Sequence, residues 1–524
     1  MIREQPITAA QKALHRRWWL LTPLYILLLL IAIIGIVGAV AGVILLWQLG
    51  QNRTPHYADI VEEFKYGSIG AEPHSGIPYP IWRVLPTLFP EVFEHRDDYS
   101  AFGFLYENSP NGRQRDLPIG ISRRTYRNVE IVWFNCATCH TGTVNATMTD
   151  PDGRVRTGTH IIPGMPSNNL NLYRFITFLL EAGTDERLAP DNLIAAINKK
   201  GPRLGLVEET LYHWYVIPTL REGLLLRHTR LLPLLKQQPP WGHGRVDTFN
   251  PYKLIQASMP LSSLQPNELI GTADFPAIFH QGPRRGMHLH WDGDNTSLAE
   301  RNLSAAIGAG VTPDSVDFET IDRIADWLLQ LRPPRSPYHP NAEAVVRGRE
   351  IFLHHCRGCH GFRDSQDYSF TGETIGQVEA NNKLGVDPHR LDSYTERLRD
   401  FQLANFFKGT PHQFKFFEKT NGYANLPLDG LWLRAPYLHN GSVPTLADLL
   451  NPPQQRPVAF VRGADQLDPE RGGFVAPPCV PPSAPAGRFC YDTSKDGNGN
   501  GGHLFGVELP ADQKADLLAY LLTF

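Results

Sequence analysis

The chain is 524 residues long, and its 50 Lys and Arg residues against 53 Asp and Glu give a formal net charge of −3. That length suffices for two or three domains, each with its own core, and the near-neutral balance excludes nucleic acid as an expected partner. Of the six cysteines, four fall in two Cys-x-x-Cys-His motifs.

No charged residue occurs from Trp18 to Trp47. At ~1.5 Å per residue the run more than spans a ~30 Å hydrocarbon core. Its length, with no small-residue cleavage site, predicts a retained anchor rather than a cleaved signal peptide. Arg3, Lys12, Arg16 and Arg17 precede the run, while Asp59, Glu62 and Glu63 follow it. The positive-inside rule then predicts residues 1–50 as cytoplasmic N-terminus and single-pass anchor with the remainder outside, and covalent haem attachment and a disulfide, argued below, fit the periplasmic side of a bacterial inner membrane.

Residues 55–125 are rich in Pro, Gly and aromatic side chains, which predicts extended, ordered coil around a core. Val129 to Phe134 reads as a short strand leading into Cys136-Ala-Thr-Cys139-His140. Two thiols at this spacing reach the two vinyl groups of a porphyrin, and the next residue's imidazole meets the iron. Leu170 to Leu180 has helical apolar spacing. Residues 207–237 form a helical stretch broken by Pro218, Gly223 and Pro233, with Arg221, Arg227, Arg230 and Lys236 at intervals. It reads as a helical pair covering the first haem, a contact with the membrane surface being the alternative.

Phe318 to Leu331 and Ala511 to Leu522 are amphipathic helices that each read as the closing helix of a cytochrome c fold. Ala342 to Leu353 reads as the front helix of the second such domain, with Gly348 and Phe352 one turn apart on one face. It leads into the second motif, Cys356-Arg-Gly-Cys359-His360. These elements predict a mainly α fold of two cytochrome c-like haem domains with long irregular segments plus one N-terminal transmembrane helix. The first haem domain is expected at 51–335 and the second at 336–524.

Two covalently attached c-type haems are expected, on Cys136, Cys139 and His140 and on Cys356, Cys359 and His360, with the two histidines as iron ligands. His439, in Arg434-Ala-Pro-Tyr-Leu-His-Asn-Gly-Ser-Val-Pro-Thr445, is expected as the opposite ligand of the second haem, because Pro436, Gly441 and Pro444 hold it in a fixed turn. Met165 is the chief methionine candidate for the first haem. Cys479 and Cys490 bracket a Pro-rich loop and are expected to form a disulfide. Asp492 to His503 has calcium-loop order, but His503 stands where an EF-hand needs a bidentate Glu, so the run reads as a Gly-rich turn near the second haem.

The paired motifs and the downstream R-x-P-Y-L-H-N-G-S-x-P-T-L make the chain resemble the bacterial di-haem cytochrome c peroxidase superfamily. Within it, FKYGSIGAEPHSGIPYPIWRVLP, LHWDGDNTSLAERN and GLWLRAPYLHNGSVPTLADLL resemble the rubber oxygenase branch. The resemblance implies a reactive first haem with an accessible distal face and a second haem that passes electrons. It also places Trp291 where the family sets an aromatic between the haems. His288, His290 and Glu300 lie in the same stretch as candidates for proton transfer in the distal pocket. The rubber-cleaving enzymes are secreted and longer, whereas this chain carries an anchor, so polymer cleavage is not the expectation. Peroxide or dioxygen activation at the first haem is the expected chemistry, with a redox protein or small oxidant as partner; the alternative is a non-catalytic electron carrier.

Overall fold

The computed structural model describes residues 8–109, 111–149, 153–364 and 367–524. Arg3, one of the basic residues ahead of the apolar run, lies outside the described residues. Two compact units are present: Met1–Thr54 together with Arg124–Glu130, and Pro55–Arg123 together with Ile131–Phe524.

The first unit is built on α1 (Ala9–Leu49). Within it Thr22–Val40, 19 residues of mean hydropathy 2.8, is the one described helix long and apolar enough to cross a membrane. Leu24, Ile31, Ile34 and Val43 are all exposed. Such a surface is stable only in an apolar solvent, so the segment suits either an anchor or a signal sequence.

The expectation of a mainly α chain of two cytochrome c-like domains is corrected here. The structure is 42% helical and 14% strand. Its described strands form six small sheets, one three-stranded and five two-stranded. Both Cys-x-x-Cys-His motifs lie in the second unit. The physical reason is visible after the first motif. Thr141–Thr149 (β1) and Val155–Pro163 (β2) alternate β-branched residues and pair antiparallel from Thr141↔Pro163 to Thr149↔Val155, where a helix had no claim.

The helices expected at 318–331, 342–353 and 511–522 form, whereas residues 55–125, expected as extended coil, also hold helices at Ile60–Tyr66 and Tyr79–Leu88. In α2 (Ile60–Tyr66) Asp59 caps the first turn by accepting from Val61 and Glu62 N–H. Further along are α3 (Leu298–Gly308) and α4 (Phe318–Gln330). The rings of Phe64 on α2 and Trp327 on α4 lie 5.1 Å apart. Ile324, Leu328 and Ala137 share their buried cluster, and Cys136 packs against it. The second motif follows α5 (Ala342–His355), which crosses α6 (Ala511–Leu521) at Gly348. Phe352 sits 5.3 Å from Tyr520 and 5.2 Å from Phe524, ring to ring. A glycine is required at this crossing, because a Cβ there would sit 2.5 Å from the Asp516 carbonyl carbon. Away from the motifs, Cys479 and Cys490 are joined by a disulfide.

Candidate haem sites

The two motifs adopt the same local turn. His140 N–H donates to the Cys136 carbonyl at 3.2 Å, and His360 N–H donates to the Cys356 carbonyl at 3.1 Å. Each turn therefore projects both thiols and the imidazole from one side of the backbone. Asn135 fixes the first turn by accepting from Ala137 N–H at 3.0 Å and donating Nδ2 to Gly67 O at 3.0 Å. Thr374 Oγ1 lies 3.4 Å from Cys359 Sγ in the second.

Each histidine is then oriented by a backbone carbonyl. His140 Nδ1 lies 2.9 Å from Pro276 O, and His360 Nδ1 lies 2.8 Å from Leu426 O. A carbonyl only accepts, so Nδ1 carries the proton and Nε2 keeps its lone pair for a metal. Burial pushes His140 down to about 4 and lowers His360 as well, so both rings are neutral near pH 7.

The four cysteines are half-buried and unpaired. Burial pushes the thiols of Cys136 to about 11, Cys139 to about 12 and Cys356 to about 12. Such thiols are neutral at pH 7, a state that suits addition to the vinyl groups of a porphyrin. Among the described residues there is no group of three or more His, Cys, Asp or Glu side chains that could hold a metal ion. The donor set fits haem. Arg301 on α3 adds to that fit: its Nε and Nη2 are buried with no hydrogen-bond partner. Its charge acts on both Cys136 and His140.

The ring that faces His360 belongs to His503, at 6.3 Å between centroids and 39° between planes. Two metal–imidazole bonds of ~2.0 Å, with ~1.1 Å from each ring nitrogen to its centroid, call for roughly 6 Å. Burial pushes His503 down to about 4, so it too is a neutral donor.

His439 is placed elsewhere. Its Nε2 meets Tyr423 Oη at 3.1 Å, and the two rings stack at 4.3 Å. Tyr423 gives its one proton to Asp387 O at 3.0 Å, so it accepts from His439 Nε2–H, and that nitrogen is used. The rigid turn around His439 therefore serves a buried hydrogen-bond network. Met165 is fully buried in a hydrophobic core with Val144, Ile162 and Phe279.

The stretch 288–300 is divided in its roles. Trp291 donates Nε1 to Asp274 O at 2.9 Å, and its own carbonyl accepts from Ala424 N–H at 2.9 Å. Its ring packs on the cluster of Val386, Leu391 and Tyr423, beside Leu384. His290 Nδ1 is 2.5 Å from the buried Asp294 carboxylate. His288 Nδ1 lies 2.8 Å from Gly293 O. Glu300 accepts from Lys415 N–H at 2.7 Å, Phe416 N–H at 3.0 Å and Asn295 Nδ2 at 3.1 Å. Its oxygens thus anchor the 414–417 loop, which is structural work. The calcium-like loop is also internally satisfied: Asp492 Oδ1 accepts from Ser494, and Asn498 Oδ1 accepts from Arg245 at 2.8 Å.

Sequence reasoning missed His503 as a ligand candidate and Pro276 and Leu426 as orienting carbonyls. The available signal was Gly501-Gly502-His503, an imidazole held behind two residues that permit close backbone approach.

A family model described as RoxA-like, cytochrome c-like matches residues 422–461. Two proteins of Sinorhizobium fredii are similar. The uncharacterized protein y4iM is 29% identical over 259 residues, covering 44% of this chain and 56% of that protein. The uncharacterized protein y4iJ is 30% identical over 252 residues, covering 37% of this chain and 41% of that protein. The chain thus spans about half the length of these curated relatives. The relationship to cytochromes c, with haem c as the implied cofactor, stands on the matched segment.

Proposed function

We propose that this protein is a di-haem c-type oxidoreductase of the kind the di-haem peroxidase and rubber oxygenase proteins represent. In this reading the first haem works on peroxide or dioxygen while the second relays electrons. The observation that carries the reading is one unbroken chain of bonds between the two histidines. His140 Nδ1–H binds Pro276 O, and two residues earlier Asp274 O accepts Trp291 Nε1–H. The Trp291 carbonyl accepts Ala424 N–H, and two residues later Leu426 O accepts His360 Nδ1–H. Such a chain needs no jump through space, and Trp291 is its midpoint.

When bound, each haem supplies a redox-active iron whose axial ligation decides between substrate binding and electron transfer. The residues assign those tasks unequally. His360 and His503 would hold the iron of the second haem, and two imidazole ligands would favour electron transfer. Around the first, Cys136 packs against a cluster containing Phe249, Tyr394, Phe406, Phe407, Phe414 and Phe417, which excludes water. Arg301 brings buried donors and positive charge to the same place. Trp291 holds the relay, while His290 and Glu300 hold their loops. The apolar Thr22–Val40 segment serves as a single-pass anchor, with the body in the periplasm, where the Cys479–Cys490 disulfide is stable. The partners in this setting are the membrane and a redox protein or small oxidant.

Electron paramagnetic resonance of the oxidised protein tests the proposal. The expected spectrum holds one high-spin and one low-spin haem, and His503→Ala converts the low-spin signal to high spin. Two low-spin signals in the unaltered protein would leave only a carrier of electrons.

A further inference from the structure

We propose that Arg456 is the positioning residue that holds His503 at the second haem, a role that rests on the reading of His503 as an axial ligand. His503 is not held by its side chain. Its N–H donates to Leu384 O at 2.8 Å, and its carbonyl accepts from Arg456 Nη2 at 3.4 Å. Its φ of 49° lies in the left-handed region, which a non-glycine residue keeps only when its surroundings impose it. Gly499 and Asn500 are anchored by Asp387, Asn440 and Pro457, but Gly501 and Gly502, next to His503, bring no side chains to pack.

Arg456 provides what they lack. It is 3% exposed, and all its hydrogen bonds go to backbone carbonyls. Nη1 donates to Asn500 O at 2.6 Å and Gly502 O at 2.9 Å. Nε donates to Asn451 O at 3.0 Å, and Nη2 reaches Leu449 O at 3.3 Å. The planar fork therefore ties three carbonyls of the 500–503 segment to the chain end of the Leu446–Leu449 helix. The nearest carboxylate, Asp448, is engaged with Thr445 and Arg471. A buried guanidinium hydrogen-bonded only to carbonyls is a costly way to gain stability, and a direct way to fix several carbonyls at once. From the other side, Gly502 closes on the 385–386 backbone so tightly that a Cβ would lie 2.6 Å from Gly385 O. The segment is thus clamped between Arg456 and that backbone, and the imidazole follows.

The test uses the full haem-loaded chain and three variants, Arg456→Met, Arg456→Lys and His503→Ala. In Arg456→Met the low-spin to high-spin ratio of the second haem is expected to fall about tenfold, with added imidazole restoring the low-spin signal. Lysine, a compact donor without the fork, is expected to give an intermediate ratio. A role confined to stability would lower the unfolding midpoint and leave the spin state of the folded protein unchanged. An unchanged ratio in Arg456→Met, or in Arg456→Lys where the Met variant does not fold, overturns the proposal if His503→Ala becomes high spin. A low-spin His503→Ala overturns the reading of His503 itself.

Discussion

Gly348→Ala probes the helix crossing ahead of the second Cys-x-x-Cys-His turn, and its cost follows from the geometry. A methyl at 348 would meet the Asp516 carbonyl carbon at 2.5 Å and Tyr520 Cβ at 3.0 Å, and both belong to α6 rather than to a flexible side-chain end. Ordinary contact between such atoms is ~3.5 Å, so α5 and α6 would have to part by ~1 Å. Parting them loosens Phe352 from Tyr520 and Phe524, a cluster with almost no exposure. Overpacking of this kind costs ~1–3 kcal/mol, and the loss of ring contact puts this site at the upper end. Gly308→Ala is the control: it ends α3 with nothing within 4 Å of an added Cβ, and it should gain ~0.5 kcal/mol. Guanidinium unfolding followed by circular dichroism and by the absorbance of the second haem measures both. A Gly348→Ala midpoint equal to that of the unaltered protein would refute the close crossing.

Trp291→Phe keeps an aromatic side chain and the carbonyl bond to Ala424 but replaces the indole by a smaller phenyl and removes the donor to Asp274 O. Electron exchange between the haems, followed by rapid reduction, should slow at least about tenfold, with ~1–2 kcal/mol lost to the unanswered carbonyl. An unchanged rate would separate Trp291 from the relay. His243 is buried, and burial first, with Arg462 and Arg488 behind it, pushes its pKa down to about 3. The folded state therefore refuses a proton that the unfolded chain accepts below ~6.5, and stability should fall as pH drops from ~6.5 toward 3 by up to ~1.4 kcal/mol per unit. Denaturant titrations across that window should show a shallower slope in His243→Phe. Cys479 and Cys490 close a loop with a sequence separation of 11, and loop-closure entropy puts the bridge at ~3 kcal/mol. The double serine variant should lower the unfolding midpoint accordingly, and addition of reductant should have no further effect on it.

Legibility in the sequence followed how local the determining physics was. The two Cys-x-x-Cys-His turns could be read because spacing alone fixes their chemistry, and α4, α5 and α6 because amphipathic spacing and flanking prolines are local signals. The hairpin of β1 and β2 was overlooked although Thr-Gly-Thr-Val-Asn-Ala-Thr and the Asp-Pro-Asp-Gly that follows carry strand and turn signals. The ligand was harder. His439 and His503 both sit in glycine-marked turns, and those turns mark each ring as a candidate without saying which of the two will face His360. That was decided by Leu384, Gly385 and Arg456, residues far away along the chain.

The strands that made the fold less helical than expected also account for the site. Thr272–Asp274 ends two residues before Pro276, and Gly422–Ala424 ends two residues before Leu426. Each short strand thus delivers the carbonyl that orients one haem histidine. Trp291 is bound to the last residue of both, by its indole N–H to Asp274 and by its carbonyl to Ala424. The interior of a helix would not do this, because its carbonyls are spent on its own N–H groups. Short strands leave main-chain acceptors free at their ends, and those acceptors hold the two histidines and the indole between them in one bonded frame. The helical elements then have a different task, which is to pack the attachment turns, as α2 and α4 do for Cys136 and as α5 and α6 do ahead of Cys356.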